Sequence, residues 1–195
     1  MRGIRREPDS HACDKVAFWQ RRSDVYSNAM PRSQLLPDHI REALEHITSS
    51  DGGGIKYHPC KVELKDGRIL DNVYIEPEEP YLRTWGVYPE DDRGKMSIPI
   101  QEVLKVEDSP ARLPAHFAEQ LYRAGESGMG YTIFTVVFSD GRRQAYSSGT
   151  AVDFIRYPDG KSGLDVVAVE PHEGRGADPM RSPGWYWCLY SVEGS

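Results

Sequence analysis

The stretch Gly125-Glu126-Ser127-Gly128-Met129-Gly130-Tyr131-Thr132-Ile133-Phe134-Thr135-Val136-Val137-Phe138-Ser139-Asp140-Gly141-Arg142 decides how this chain is read: a glycine-rich loop runs into a strongly apolar strand that ends in a tight turn. Ile133, Phe134, Val136, Val137 and Phe138 put β-branched or aromatic side chains on both faces of the extended chain, which predicts a central strand covered on both sides. Asp140-Gly141 predicts a hairpin, because a two-residue loop that continues the strand twist needs the positive φ that Asp and Gly tolerate. Glycine-rich loops also form nests of backbone N–H groups for anions. Phosphate-cradling loops, however, follow a strand, precede a helix and continue into Lys-Ser/Thr. Here the glycines precede the strand and no lysine follows, so the spacing favours a flexible link from helix to strand. Glu126, Gly128, Gly130 and Tyr131 of this stretch are candidate binding residues, with Arg142 beyond the turn and Trp85 upstream.

Working outward, the stretch proves to be the second copy of a pattern. Leu36-Pro37-Asp38-His39-Ile40-Arg41-Glu42-Ala43-Leu44 matches Leu113-Pro114-Ala115-His116-Phe117-Ala118-Glu119-Gln120-Leu121, both reading Leu-Pro-x-His-apolar-x-Glu-x-Leu. Gly54-Ile55 matches Gly130-Tyr131, Val62-x-Leu64-x-Asp66-Gly67-Arg68 matches Val136-x-Phe138-x-Asp140-Gly141-Arg142, and Val103-x-x-Val106-Glu107 matches Val166-x-x-Val169-Glu170. Four landmarks in one order imply a tandem duplication. The expected fold is mainly β (α+β): two related units, each a short helix followed by a bent antiparallel sheet or small SH3-like barrel. The first unit spans residues 34–110 and the second 111–176.

Each unit opens on a helix, predicted in the first over Leu36 to Ile47 from apolar residues at helical spacing, Pro37 in the first turn and Asp38 near the positive end of the dipole. A hairpin follows through Val62 and Leu64, Asp66-Gly67, and Ile69 to Ile75. Residues 76–95, with prolines at 77, 80 and 89 and the run Glu90-Asp91-Asp92, read as a long loop, and Met96 to Val106 as a further strand or two. In the second unit, Val152-Asp153-Phe154-Ile155 and Leu164 to Val169 read as strands about a turn at Asp159-Gly160. The closing Gly184-Trp185-Tyr186-Trp187-Cys188-Leu189-Tyr190, within an aromatic segment 177–195, is expected to be a last strand or hook packed on a lobe, the alternative being a patch for a partner or flat ligand. Residues 1–33 read as an extension. Ser27-Asn28-Ala29-Met30 resembles the scar that tag removal leaves ahead of a native first methionine, and a mis-assigned upstream start accounts for it equally well.

Composition narrows function. The net charge is −6 over 195 residues; residues 1–30 hold six Arg or Lys against four acids, so the remainder carries −8. An acidic body disfavours non-specific nucleic-acid binding and suits a basic protein partner. No apolar run reaches bilayer length and the first residues lack a secretory core, which implies no membrane association and a cytoplasmic protein. Cys13, Cys60 and Cys188 form no Cys-x-x-Cys pair, and His58-Pro59-Cys60 has no matching second pair for zinc. His39 with Glu42 and His116 with Glu119 lie three apart on the repeated helix. Brought together they could ligate a metal; otherwise they are helix-orienting and solvated groups. Glu126, Ser127, Asp140, Arg142 and His172 are each capable of acid, base or nucleophile roles but match no catalytic motif. No cofactor is implied.

The second unit, with Gly-Glu-Ser-Gly-Met-Gly-Tyr, Phe-Thr-Val-Val-Phe-x-Asp-Gly-Arg, Val152-Asp153-Phe154 and Pro171-His172-Glu173-Gly174-Arg175, resembles a group of uncharacterised bacterial proteins over about residues 36–176. That resemblance implies no activity. Val62-x-Leu64-Lys65-Asp66-Gly67-Arg68 with Val73-x-Ile75 is similar to the opening strands of small SH3-like or Sm-like barrels, whose families bind nucleic acid or peptide segments. The acidic charge and the excursion at 76–95 depart from the Sm pattern, so RNA binding is not carried over. The expected function is a non-catalytic protein-interaction module. The rivals are a small metal-dependent enzyme using the cleft between the repeats and a nucleic-acid-associated barrel.

Overall fold

The computed structural model describes residues 32–51 and 56–192. The proposed start at Met30 and the Gly54-Ile55 landmark lie outside them. The fold is mainly β, with two sheets and three α-helices among the described residues. The first helix, α1 (Asp38–Glu45), starts on Pro37, whose carbonyl accepts from Ile40 and Arg41; Leu36 and Ile47 flank it as buried residues instead of extending it. β1 (Ser50–Asp51) pairs with β2 (Lys56–Leu64), which pairs antiparallel with both β3 (Ile69–Pro77) and β5 (Val103–Asp108). Ile40 and Leu44 of α1 join Val62, Leu64, Val73 and Ile75 in the first core.

The second half holds α3 (Ala115–Ala124), β6 (Thr132–Phe138), β7 (Arg143–Ser148) and β8 (Val166–Pro171), in a sheet ordered β8-β6-β7-β9, where β9 is Met180–Arg181. β6 is central, as its apolar run predicts; Phe134, Val136 and Phe138 are buried in the second core with Leu121 of α3, whereas Ile133 and Val137 are half-buried on the other face.

The two hairpins close in the same way. Leu64 N–H donates to Arg68 and Gly67 N–H to Leu64; Phe138 N–H donates to Arg142 and Gly141 N–H to Phe138, all at 2.9 Å. Gly67 and Gly141 have φ of 85° and 84°, and Asp66 and Asp140 each accept the N–H two residues on at 3.0 Å. Both loops therefore hold three residues, not the two that Asp-Gly suggests, with glycine at the left-handed position. Lys65 N–H reaches Glu102 O (2.9 Å) and Ser139 N–H reaches Asp165 O (2.8 Å). Register shifts fall at Glu63/Leu64 against β5 and at Val137/Phe138 against β8.

Two further expectations are corrected. Residues 76–95 are not a loop throughout: α2 (Glu78–Trp85) begins after Pro77, accommodates Pro80 in its first turn, where N–H groups have no intrahelical acceptor, and ends on Gly86 at φ 70°, leaving the loop to residues 86–95. Residues 152–155 form no strand; they bridge the linker before α3, with Leu113 N–H on Asp153 O at 2.7 Å and Ile155 N–H on Ala111 O at 3.0 Å. The aromatic terminus forms a last strand. As β10 (Tyr186–Tyr190) it inserts parallel between β3 and β4 (Met96–Ser97), so the first sheet takes a strand from the far end of the chain.

Between the sheets lies a third core. Tyr74 stands at its centre, with ring centroids 5.0 Å from Tyr57, 4.8 Å from Phe154 and 5.2 Å from Trp187. Asp153 is 0% exposed there and accepts from Ser50 Oγ, from Tyr74 Oη at 3.1 Å and from Tyr122 Oη at 2.5 Å. Arg112, also buried, donates to Ser50 at 3.3 Å. Burial pushes the Asp153 carboxyl up while these donors oppose the shift.

Candidate functional site

Of the candidate binding residues, the structure gathers Glu126, Gly128, Gly130 and Tyr131 in the loop between α3 and β6. Arg142 is at the opposite end of β6, exposed in the hairpin turn beside Asp140, which pairs with Lys161 at 2.7 Å. Trp85 is in the other half, closing α2, with Lys95 Nζ 3.6 Å above its ring.

The loop is pinned nearly residue by residue. Ser127 and Gly128 N–H groups donate to Tyr131 O (2.9 and 3.3 Å), Tyr131 N–H returns to Gly128 O (3.2 Å), and Gly130 N–H, at φ 77°, donates to Glu126 Oε2 (2.9 Å). A Cβ on Gly128 would lie 2.4 Å from the Tyr131 ring, so only glycine lets the ring fold onto the loop. The N–H groups of residues 127, 128 and 130 are thus occupied by the loop itself and are not turned outward as an anion nest would require.

The loop is tied in turn to the segment after β8. His172 has φ 64°, left-handed for a residue with a Cβ, and its N–H donates to Ile133 O at 2.8 Å. Its Nε2 lies 3.2 Å from the carbonyl of Ala124, which can only accept, so in the neutral ring Nε2 carries the proton. Nδ1 is then bare and lies 2.9 Å from Ser127 Oγ, whose single proton is shared between that nitrogen and Ile133 O at 3.2 Å, while the same oxygen accepts Ile133 N–H at 2.9 Å. Arg175 adds a guanidinium contact to Ser127 O. At the tip Met129 is 98% exposed, and Tyr131 is 38% exposed.

Sequence reasoning singled out Ser127 and His172 separately and could not join them, since they lie 45 positions apart and no motif fixes the approach. It passed over Asp153 and Arg112, for which the one available signal was an acid within the apolar run Val152-Asp153-Phe154-Ile155, and held Trp187 only as part of the aromatic terminus.

The proposed metal ligands are placed as follows. His39 and Glu42 are exposed on α1; on α3 the His116 ring lies 3.9 Å from that of Phe117, and Glu119 pairs with Arg123. Among the described residues no three of His, Cys, Asp or Glu gather as metal ligands do. Cys60 is fully buried as a free thiol pushed up by burial, and burial pushes the neighbouring His58 down.

Comparisons with protein-family models, with the curated proteins and with the solved structures give no match to this chain, so its functional reading rests on its own geometry.

Proposed function

We propose that the chain is a non-catalytic protein-interaction module that presents loop 125–131 to a protein partner. The observation that carries this reading is the combination of a loop fixed by its own hydrogen bonds with a fully exposed methionine at its tip. Fixing backbone opposes folding by about 1–2 kcal/mol per residue, and an ordered loop that buries no apolar tip gives the core little in return. Pre-ordering a recognition loop lowers the entropy lost on association, and a thioether adapts to an irregular partner surface. The acidic body favours a basic partner through steering, and non-specific nucleic-acid binding gains nothing from it. The identical hairpin closures and matching register shifts support descent of both halves from one duplicated helix-plus-meander unit. Buried free thiols at Cys60 and Cys188 suit a cytoplasmic setting, and among the described residues no helix is long and apolar enough to cross a membrane.

The test compares wild type with Met129→Asp as bait in lysate of the source organism. A protein held stoichiometrically by wild type and lost by the variant is expected; equal capture by both, or none by either, sinks the reading.

A second reading has its own observation, Ser127 Oγ 2.9 Å from His172 Nδ1, the approach of hydroxyl to imidazole that activates a nucleophilic serine. A fluorophosphonate probe that labels Ser127 in wild type and not in His172→Ala would favour it over binding alone.

A further inference from the structure

The first half of the molecule holds a cavity of about 300 Å³ between β10, β4 and the turn at Pro89–Asp91. That is the small end of ligand cavities, roughly 300–1,000 Å³, and suits a side chain better than a large cofactor. Its apolar lining includes Trp187, Leu189, Ile98 and Pro89, all buried; Glu90 and Gln101 supply polar groups. Arg32 also lines it, but that guanidinium is committed, with Nη1 2.6 Å from Asp91 and its centre 4.3 Å above the Tyr88 ring. Glu90 forms no ion pair among the described residues. Nearby, Lys95 lies over Trp85 and pairs with Asp92 at 3.0 Å. Twice in this half, then, once at the cavity and once outside its lining, the chain sets one of its own cations between an aromatic ring and a carboxylate. Trp187, whose ring also packs on Tyr74 and Tyr81, and Glu90 both line the cavity, an aromatic residue and a carboxylate beside one opening.

We infer that this cavity receives a long cationic side chain, an arginine of a basic partner protein, its stem against Leu189 and Ile98 and its guanidinium between the Trp187 ring and the Glu90 carboxylate. A planar guanidinium stacks on an indole and meets a carboxylate at once, which an ammonium does less well. The inference rests on the reading of the chain as a protein-binding module, and it adds a second contact, in the other half of the molecule from loop 125–131.

The test is amide-resolved NMR of the full chain titrated with n-butylguanidinium, an arginine side-chain mimic, and with neutral n-butylurea. Saturable shifts confined to residues 97–101 and 187–189 are expected, with affinity about fivefold weaker in Glu90→Gln and unchanged in Met129→Asp. Glu90 is exposed, so its variant folds. No saturable shift, equal affinity for n-butylurea, or an unaffected Glu90→Gln overturns the inference. Guanidinium binding without any Met129-dependent capture upholds the cavity and sinks the interaction reading; capture without guanidinium binding does the reverse.

Discussion

Asp153 and His172 each collect a serine hydroxyl and tie together segments far apart in sequence, yet one is fully buried and the other exposed. Asp153 joins Ser50 and Tyr74 of the first half to Tyr122 of the second, within an aromatic core. His172 joins a loop to a turn inside the second half and shields no core. A buried polar hub is explained by the fold, because each of its groups would be stranded without the others. A surface hub has water as an alternative partner, so its order needs another reason, and recognition supplies one.

The largest expected effect tests the buried side. Asp153→Ala strands the hydroxyls of Ser50, Tyr74 and Tyr122, and should destabilise by about 3–5 kcal/mol in denaturant titration. Ser127→Ala, at the surface hub, should lose only about 0.5–1.5 kcal/mol. Equal losses would break the contrast between the two sites.

Glu76 sharpens the same point through pH. It is 1% exposed, its Oε1 has no hydrogen-bond partner, and burial raises its carboxyl from 4.5 to about 8. The native state therefore holds the proton more tightly than the unfolded chain does. Its contribution is complete below 4.5 and is lost as pH rises through about 8. Stability measured across that window should fall by up to about 4 kcal/mol. Glu76→Gln should flatten the slope, and an unchanged slope would mean another group titrates. Burial pushes Asp153 in the same direction, so a residual slope of the same sign belongs to it.

How far these features could be read from sequence follows from the range of the interactions that make them. The hairpins were legible because Asp-Gly-Arg acts within five residues, and α1 and α3 because helical spacing and an opening proline are local. α2 was hidden because three prolines looked like breakers, although Pro80 falls in the one turn that tolerates it. β10 was recognised as an aromatic segment needing cover, but its parallel partner β3 lies over a hundred residues upstream, and nothing local selects it. The loop residues Glu126, Gly128, Gly130 and Tyr131 were legible as a group for the same reason as the hairpins. Their tie to His172 depends on how β8 registers against β6, a property of the sheet as a whole.

Gly174, two residues past His172, gives an intermediate effect. Its φ is +102° and a Cβ would lie 2.7 Å from that of Ala145, so Gly174→Ala should destabilise by about 1–3 kcal/mol. A neutral result in thermal melts would mean that the turn beneath the loop yields easily, and the loop would then not be rigidly held.

The smallest expected stability change is the most informative. His172 occupies a left-handed backbone position that glycine adopts freely, so His172→Gly relieves strain while it frees the unfolded chain and removes the Ser127 bond. These effects oppose one another, and the net change should stay within about 0.5 kcal/mol. His172→Ala keeps the strain and loses the bond, and should cost about 1 kcal/mol. If the turn served only the fold, glycine would serve it as well. On the recognition reading both variants instead release Ser127 and raise hydrogen exchange at Ile133, whose N–H the serine accepts, and both weaken partner capture whatever their stability. Capture undiminished in His172→Gly, with exchange at Ile133 accelerated, would show that the pinned loop is not what the partner reads.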